Sequence, residues 1–109
     1  MRQITQNAAS AFIASQPFAS GNTMVTVEPD NNAVLTKMFL HGNLIARKRS
    51  DSENVQTTLA GWPTPTTRER LNGLLHCYGF YGRYQQKNRS QLFDGRLIND
   101  CNQWINVAV

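Results

Sequence analysis

Few side chains in this sequence can support covalent or acid–base chemistry, and their spacing is poor for it. There are two histidines, His41 and His76, and two cysteines, Cys77 and Cys101. A thiol nucleophile needs a base within hydrogen-bond reach. His76 and Cys77 are sequence neighbours, and on a helix neighbours point about 100° apart, so they cannot serve one another. His41 can approach Cys77 only through the fold. Zinc takes four ligands at recurring spacings, and neither C-x-x-C nor H-x3-H is present. The seven acidic residues are scattered, with no pairing suited to acid–base work. The expectation is a non-enzymatic protein with no metal and no cofactor, its cysteines reduced and small enough to serve as core residues.

Positive charge is the chemistry the chain does have in excess. Eleven Lys and Arg face seven Asp and Glu, a net charge of +4, which favours polyanionic partners. Two cationic clusters stand out. Arg47-Lys48-Arg49 ends a predicted strand, where three cations can grip a phosphate backbone, although Asp51 and Glu53 follow closely. Arg68, Arg70, Arg83, Lys87 and Arg89 form the second. Within it Arg83 and Lys87 share a strand face with Gln85 and Tyr81, and aromatics interleaved with cations on a sheet are how single strands are stacked and held. The alternative for both clusters is an ordinary solvated surface, with Tyr84 in the core. Trp62, between Gly61 and Pro63, reads as an anchor of its loop to the core, or else as an exposed stacking residue.

The elements that must position these residues fit one domain over 1–109. Thr5 is the expected cap of a first helix over about residues 6–15, with Phe12 as its anchor. Alternating strands are expected at Thr23–Glu28, Val34–Leu40, Leu44–Lys48 and Val55–Leu59, joined by turns at Pro29–Asn32 and His41–Asn43. Thr66 and Glu69 read as a capping box that opens a helix with an apolar stripe of Leu71, Leu74, Leu75 and Tyr78, stopped by Gly79. Phe80–Lys87 and Gln91–Phe93 read as strands around an Asn88–Ser90 turn. Asp94-Gly95 is a strong hairpin signal before Arg96–Ile98, and Trp104, Ile105 and Val107 close the chain. The expected fold is α+β: an antiparallel sheet of four to six strands with two helices packed on one face. No apolar run reaches the roughly 20 residues of a membrane span, and the N-terminus lacks a signal-peptide core.

Several of these segments occur together elsewhere. Leu40-His41-Gly42-Asn43-Leu44-Ile45-Ala46, then Ala60-Gly61-Trp62 with Thr66-Thr67-Arg68-Glu69-Arg70-Leu71-Asn72, then Gln86-Lys87 and Phe93-Asp94-Gly95, resemble a family of small tailed-phage accessory proteins over roughly residues 20–98. The resemblance implies an accessory gene product expressed in the host bacterial cytoplasm. It implies binding to nucleic acid, or inhibition of a host defence or replication protein that handles nucleic acid. It supplies no catalytic residue. Where similar chains often have an aromatic after the Gln-Lys strand turn, this one has Arg89-Ser90-Gln91, which removes a stacking position there.

Overall fold

A computed structural model describes residues 1–109. The chain runs α1 (Gln3–Ile13), β1 (Phe18–Ser20), β2 (Thr23–Asp30), β3 (Ala33–Leu40), β4 (Asn43–Arg49), β5 (Asn54–Thr57), α2 (Pro65–Cys77), β6 (Tyr84–Lys87), β7 (Ser90–Phe93), β8 (Arg96–Leu97) and β9 (Ile105–Ala108). Strands β1-β2-β3-β4-β5-β9 form one antiparallel sheet, and β6-β7-β8 form a second. The α+β expectation holds, with the sheet at six strands and a further three-stranded sheet beside it.

Tight turns set the register. Asn31-Asn32, His41-Gly42, Asn88-Arg89 and Asp94-Gly95 all have both residues at positive φ. That is the two-residue hairpin geometry whose twist matches the flanking strands. In the expected His41–Asn43 turn the left-handed pair is His41-Gly42, and Asn43 is already in β4. Between β3 and β4 the pairing shifts: Met38 faces Ala46 and Phe39 faces Leu44. Ile45 is the extra residue of a bulge. It is buried, and its carbonyl accepts the Thr58 amide at 2.9 Å.

One core joins the layers: Ala8, Ala9 and Phe12 of α1, Val25, Met38, Leu40, Ala46 and Val55 of the large sheet, Leu71, Leu74 and Leu75 of α2, and Tyr84 and Val107. The leucine stripe of α2 lies as its periodicity predicts, and full burial stabilises each leucine by about 1.5–3 kcal/mol. Helices α1 and α2 pack on each other, α1 against β1–β3 and α2 against β4 and β6. Their approach is close because Gly73 faces Thr5. A Cβ at position 73 would lie 2.2 Å from Thr5 Cγ2.

Both helix starts differ from expectation. Thr64, not Thr66, caps α2: its Oγ1 accepts from the Thr67 amide at 3.2 Å, and Pro65 takes the first helical position. A proline there gives up an N–H that has no helical partner anyway. Glu69 is thereby free of a capping role. α1 starts at Gln3 with Arg2 at the cap and no side-chain cap bond. Thr5 lies inside the helix, fully buried, with its hydroxyl donating to Glu69. Strand β1 went unforeseen, and β6 begins only at Tyr84, so Phe80–Arg83 is a loop.

Candidate nucleic-acid interface

The structure separates the expected cations into engaged and free. Arg70 is the clearest correction. Only 2% exposed, it lies in the core, paired with Glu69 and donating to Thr5 Oγ1 at 2.7 Å and Thr23 Oγ1 at 3.0 Å. An arginine so buried keeps its charge only where anion and acceptors surround it, and it cannot meet a ligand. Arg68 is half-buried, and its Nη1 donates to the Pro63 carbonyl at 2.9 Å and to Gln91 Oε1 and Gln86 Oε1 at 3.0 and 3.2 Å. It ties the start of α2 to the small sheet.

The Arg47-Lys48-Arg49 run does not form one patch, because strand neighbours alternate faces. Lys48 points to α1 and donates to the Ile13 carbonyl at 2.8 Å, satisfying an orphan acceptor at that helix's C-terminus. Burial holds its ammonium below the ordinary lysine range. Arg49 pairs with Asp30 and Asp51. Its hydrogen bond to Asp51 raises the guanidinium and lowers that carboxyl. Arg47 lies over the Trp104 ring, 3.9 Å from its centroid, and donates to Gln56 Oε1 at 2.7 Å. It pairs with no carboxylate.

The small sheet is different. Its inner face is Tyr84, Phe93 and Gln91. Tyr84 is buried, its hydroxyl 2.7 Å from Thr57 Oγ1, and its ring packs 4.8 Å from that of Phe93. Burial pushes the Tyr84 phenol up to about 12, with the Thr57 hydrogen bond opposing, and burial pushes Tyr78 up to about 12. The edge of β6 is held by α2: Asn72 Oδ1 accepts from the Tyr84 amide at 2.7 Å, and its Nδ2 donates to the Tyr84 carbonyl at 2.9 Å. The two bonds reproduce what a neighbouring strand would make.

Inner residues fixed in this way turn their alternates outward. Arg83, Gln85 and Lys87 face solvent, with Leu92 and Leu97 across the strands. Gln85, with its amide oriented so that the oxygen faces Arg83, accepts from Arg83 Nε and Nη2 at 3.1 Å. Arg89 stands on the exposed β6–β7 turn. Arg96 on β8, a cation the sequence reading passed over, is also exposed, but it pairs with Phe93 and so stands on the opposite face from Arg83 and Lys87. None of Arg83, Lys87, Arg89 or Arg96 makes an ion pair, whereas Lys37, Arg49 and Arg70 all do. Tyr81 stands in the loop leading into β6, 94% exposed. The signal for Arg96 was available: it follows Asp94-Gly95, and a tight hairpin exposes the residues at its mouth.

Trp62 is 60% exposed rather than buried. It walls a pocket of about 450 Å³ whose floor includes Leu40, Ile45 and Leu59 and whose rim includes His41 and Thr66. His76 and Cys77 are exposed at the far end of α2, away from that rim, and both cysteines are free thiols. No three of the His, Cys, Asp and Glu side chains come together as a metal-holding group. No helix is long and apolar enough to cross a membrane.

A family model described as Kyanoviridae Gp96 protein matches residues 1–106. No curated protein and no solved structure matches the chain.

Proposed function

The chain belongs to the Kyanoviridae Gp96 protein family, a tailed-phage family, and from that premise we propose that this phage protein acts by binding nucleic acid, or another polyanion, through the outer surface of β6–β8. It works as an accessory protein in the host bacterial cytoplasm, by contact rather than catalysis. The observation that carries the reading is the charge on that surface. Arg83, Lys87 and Arg89 fall within residues 83–89 with no acid among them, and no carboxylate pairs with any of them. Cations with no internal partner are the ones able to replace counterions on a phosphate backbone. Arg47, held over Trp104, adds charge from the large sheet. Arg70 and Lys48 are engaged inside the fold and Arg49 is neutralised at the surface by Asp30 and Asp51, so these three play no part.

The test is fluorescence anisotropy with labelled oligonucleotides at about 50 and 200 mM salt, a range over which counterion release is readily measured. Replacing Arg83, Lys87 and Arg89 with Gln is expected to weaken binding and flatten the log K against log salt slope by about 2–3 units, close to one per phosphate contact. Replacing Arg49 is expected to leave both unchanged. No binding at the lower salt refutes the reading.

A second reading is favoured by the exposed Trp62 and the pocket it walls, since large aromatics over apolar hollows are typical anchors of protein contacts. Under it the protein inhibits a host defence or replication protein. Affinity purification with nuclease treatment separates the two: a host protein retained after nuclease, and lost with Trp62→Ala, favours inhibition.

A further inference from the structure

Resting on the polyanion reading above, we infer that the ligand is single-stranded nucleic acid, with one base stacked on Tyr81 and the adjoining phosphates on Arg83 and Lys87. Two independent features point away from a duplex. The first is what the helices present. A duplex is read chiefly by an element inserted in its major groove, most often a helix. Neither helix has a cationic outer face: the exposed positions of α1 are Gln3, Gln6, Asn7 and Ser10, with Arg2 before it, and those of α2 are Pro65, His76 and Cys77. Of the arginines of α2, Arg70 is turned inward to Thr5 and Thr23, and Arg68 is tied across to Gln86 and Gln91 of the small sheet.

The second is the size of the cationic surface. Arg83 to Lys87 spans roughly 13 Å of extended chain, and three strands are roughly 10 Å across. Such a patch is far smaller than the roughly 600–1,000 Å² that one duplex-reading module covers. It suits a single backbone laid along β6.

Tyr81 supplies the discriminating contact. Its ring is 94% exposed, makes no aromatic pair and stands two residues before Arg83. In a duplex the base faces are already stacked on one another. In a single strand they are open, and any base offers a face to a phenol ring. Beside the ring runs a groove of about 620 Å³ between α2 and the Phe80–Arg83 loop, lined by Arg68, Glu69, Asn72, His76, Tyr81 and Arg83. Glu69 and Asn72 are already engaged by Arg70, Thr5 and Tyr84, so His76 and Arg83 are the polar groups of this groove left to meet a base edge.

The experiment compares a labelled single strand of about 12 nucleotides, the duplex of the same sequence, and inorganic polyphosphate as competitor. Tyr81→Ala is the variant, and because Tyr81 is almost wholly exposed the fold survives the change. Single-strand affinity is expected to exceed duplex affinity and to fall about 5- to 150-fold in Tyr81→Ala, the range for loss of one base–aromatic stack. Tyr81→Phe is expected to restore it, and polyphosphate binding is expected to be indifferent to both changes. Equal or tighter duplex binding, or a Tyr81→Ala loss common to all three ligands, overturns the single-strand inference while leaving the polyanion reading standing. Absence of binding to all three overturns both.

Discussion

Gly73→Ala is a substitution for which helix propensity and packing give opposite signs. In the interior of α2 an alanine is favoured over glycine by about 1 kcal/mol. Here the new Cβ would sit 2.2 Å from Thr5 Cγ2, against 3.4 Å from the flexible Met1 side chain. Thr5 is 1% exposed, and its hydroxyl accepts from Arg70 and donates to Glu69. Turning Thr5 away would break hydrogen bonds to charged groups, worth about 1.5–3 kcal/mol each. Moving the helices apart instead is overpacking, at about 1–3 kcal/mol. Overpacking is the cheaper route, and less the propensity gain it leaves a net loss of up to about 2 kcal/mol, or roughly 4 °C in midpoint for each kcal/mol in a chain of this length. Urea and thermal melts of the single variant measure it. Thr5→Ser keeps the hydroxyl and removes Cγ2, so in that background Gly73→Ala becomes neutral or stabilising. The coupling in the double-mutant cycle is then at least about 1 kcal/mol. A raised midpoint for Gly73→Ala alone, or equal effects in both backgrounds, refutes the argument.

Two further outcomes follow from the same structure. Thr64→Ala should cost about 1 kcal/mol as a lost N-cap, while Thr66→Ala should cost under about 0.5 kcal/mol, as expected away from a cap; urea midpoints in the reverse order would move the helix start to Thr66. Tyr78 and Tyr84 both have folded values pushed up to about 12 from an ordinary 10.0. Raised values favour the folded state while the phenols are neutral, so this contribution is intact below pH 10 and lost between about pH 10 and 12. The depressed Lys48 works in the opposite sense. Denaturant midpoints that hold or rise through that window would show that the tyrosines do not dominate, and Tyr84→Phe should lessen the alkaline fall.

Local signals made much of the fold legible. The Asp94-Gly95 hairpin, the Leu71-Leu74-Leu75 stripe and the alternation in β2–β4 each depend on residues within a few positions of one another, and each is found where it was expected. The α2 start was ambiguous because two threonines flank Pro65. The preference of proline for the first helical position decides for Thr64, and the Thr-x-x-Glu spacing pointed the other way. The site was less legible. Arg70 looks like any surface cation beside Glu69, and its partners Thr5 and Thr23 lie 65 and 47 residues away. Lys48 meets α1 across 35 residues. Side chains read as one basic cluster were divided by contacts that only the tertiary fold creates. Trp62 stayed open between core anchor and exposed ring for a related reason: flanking glycine and proline mark a turn, but not which side of the turn meets water.

Asn72 and Arg68 have a consequence beyond holding β6 in place. A three-stranded sheet of four, four and two residues is too small to be rigid alone. The two Asn72 bonds to Tyr84 and the Arg68 bonds to Gln86 and Gln91 join it to a helix packed in the core. Those joints lie on the inner side and at the edge of β6, so under the proposed polyanion reading the backbone that carries the outward cations is held in place before any ligand arrives. The surface is preorganised: little backbone entropy remains to be lost on association, and the favourable contacts translate more fully into affinity. The same amide closes the stretch of strand edge at Tyr84 that would otherwise be open to a strand from another molecule. Helix α2 thus acts as a splint, keeping the surface both in shape and to itself.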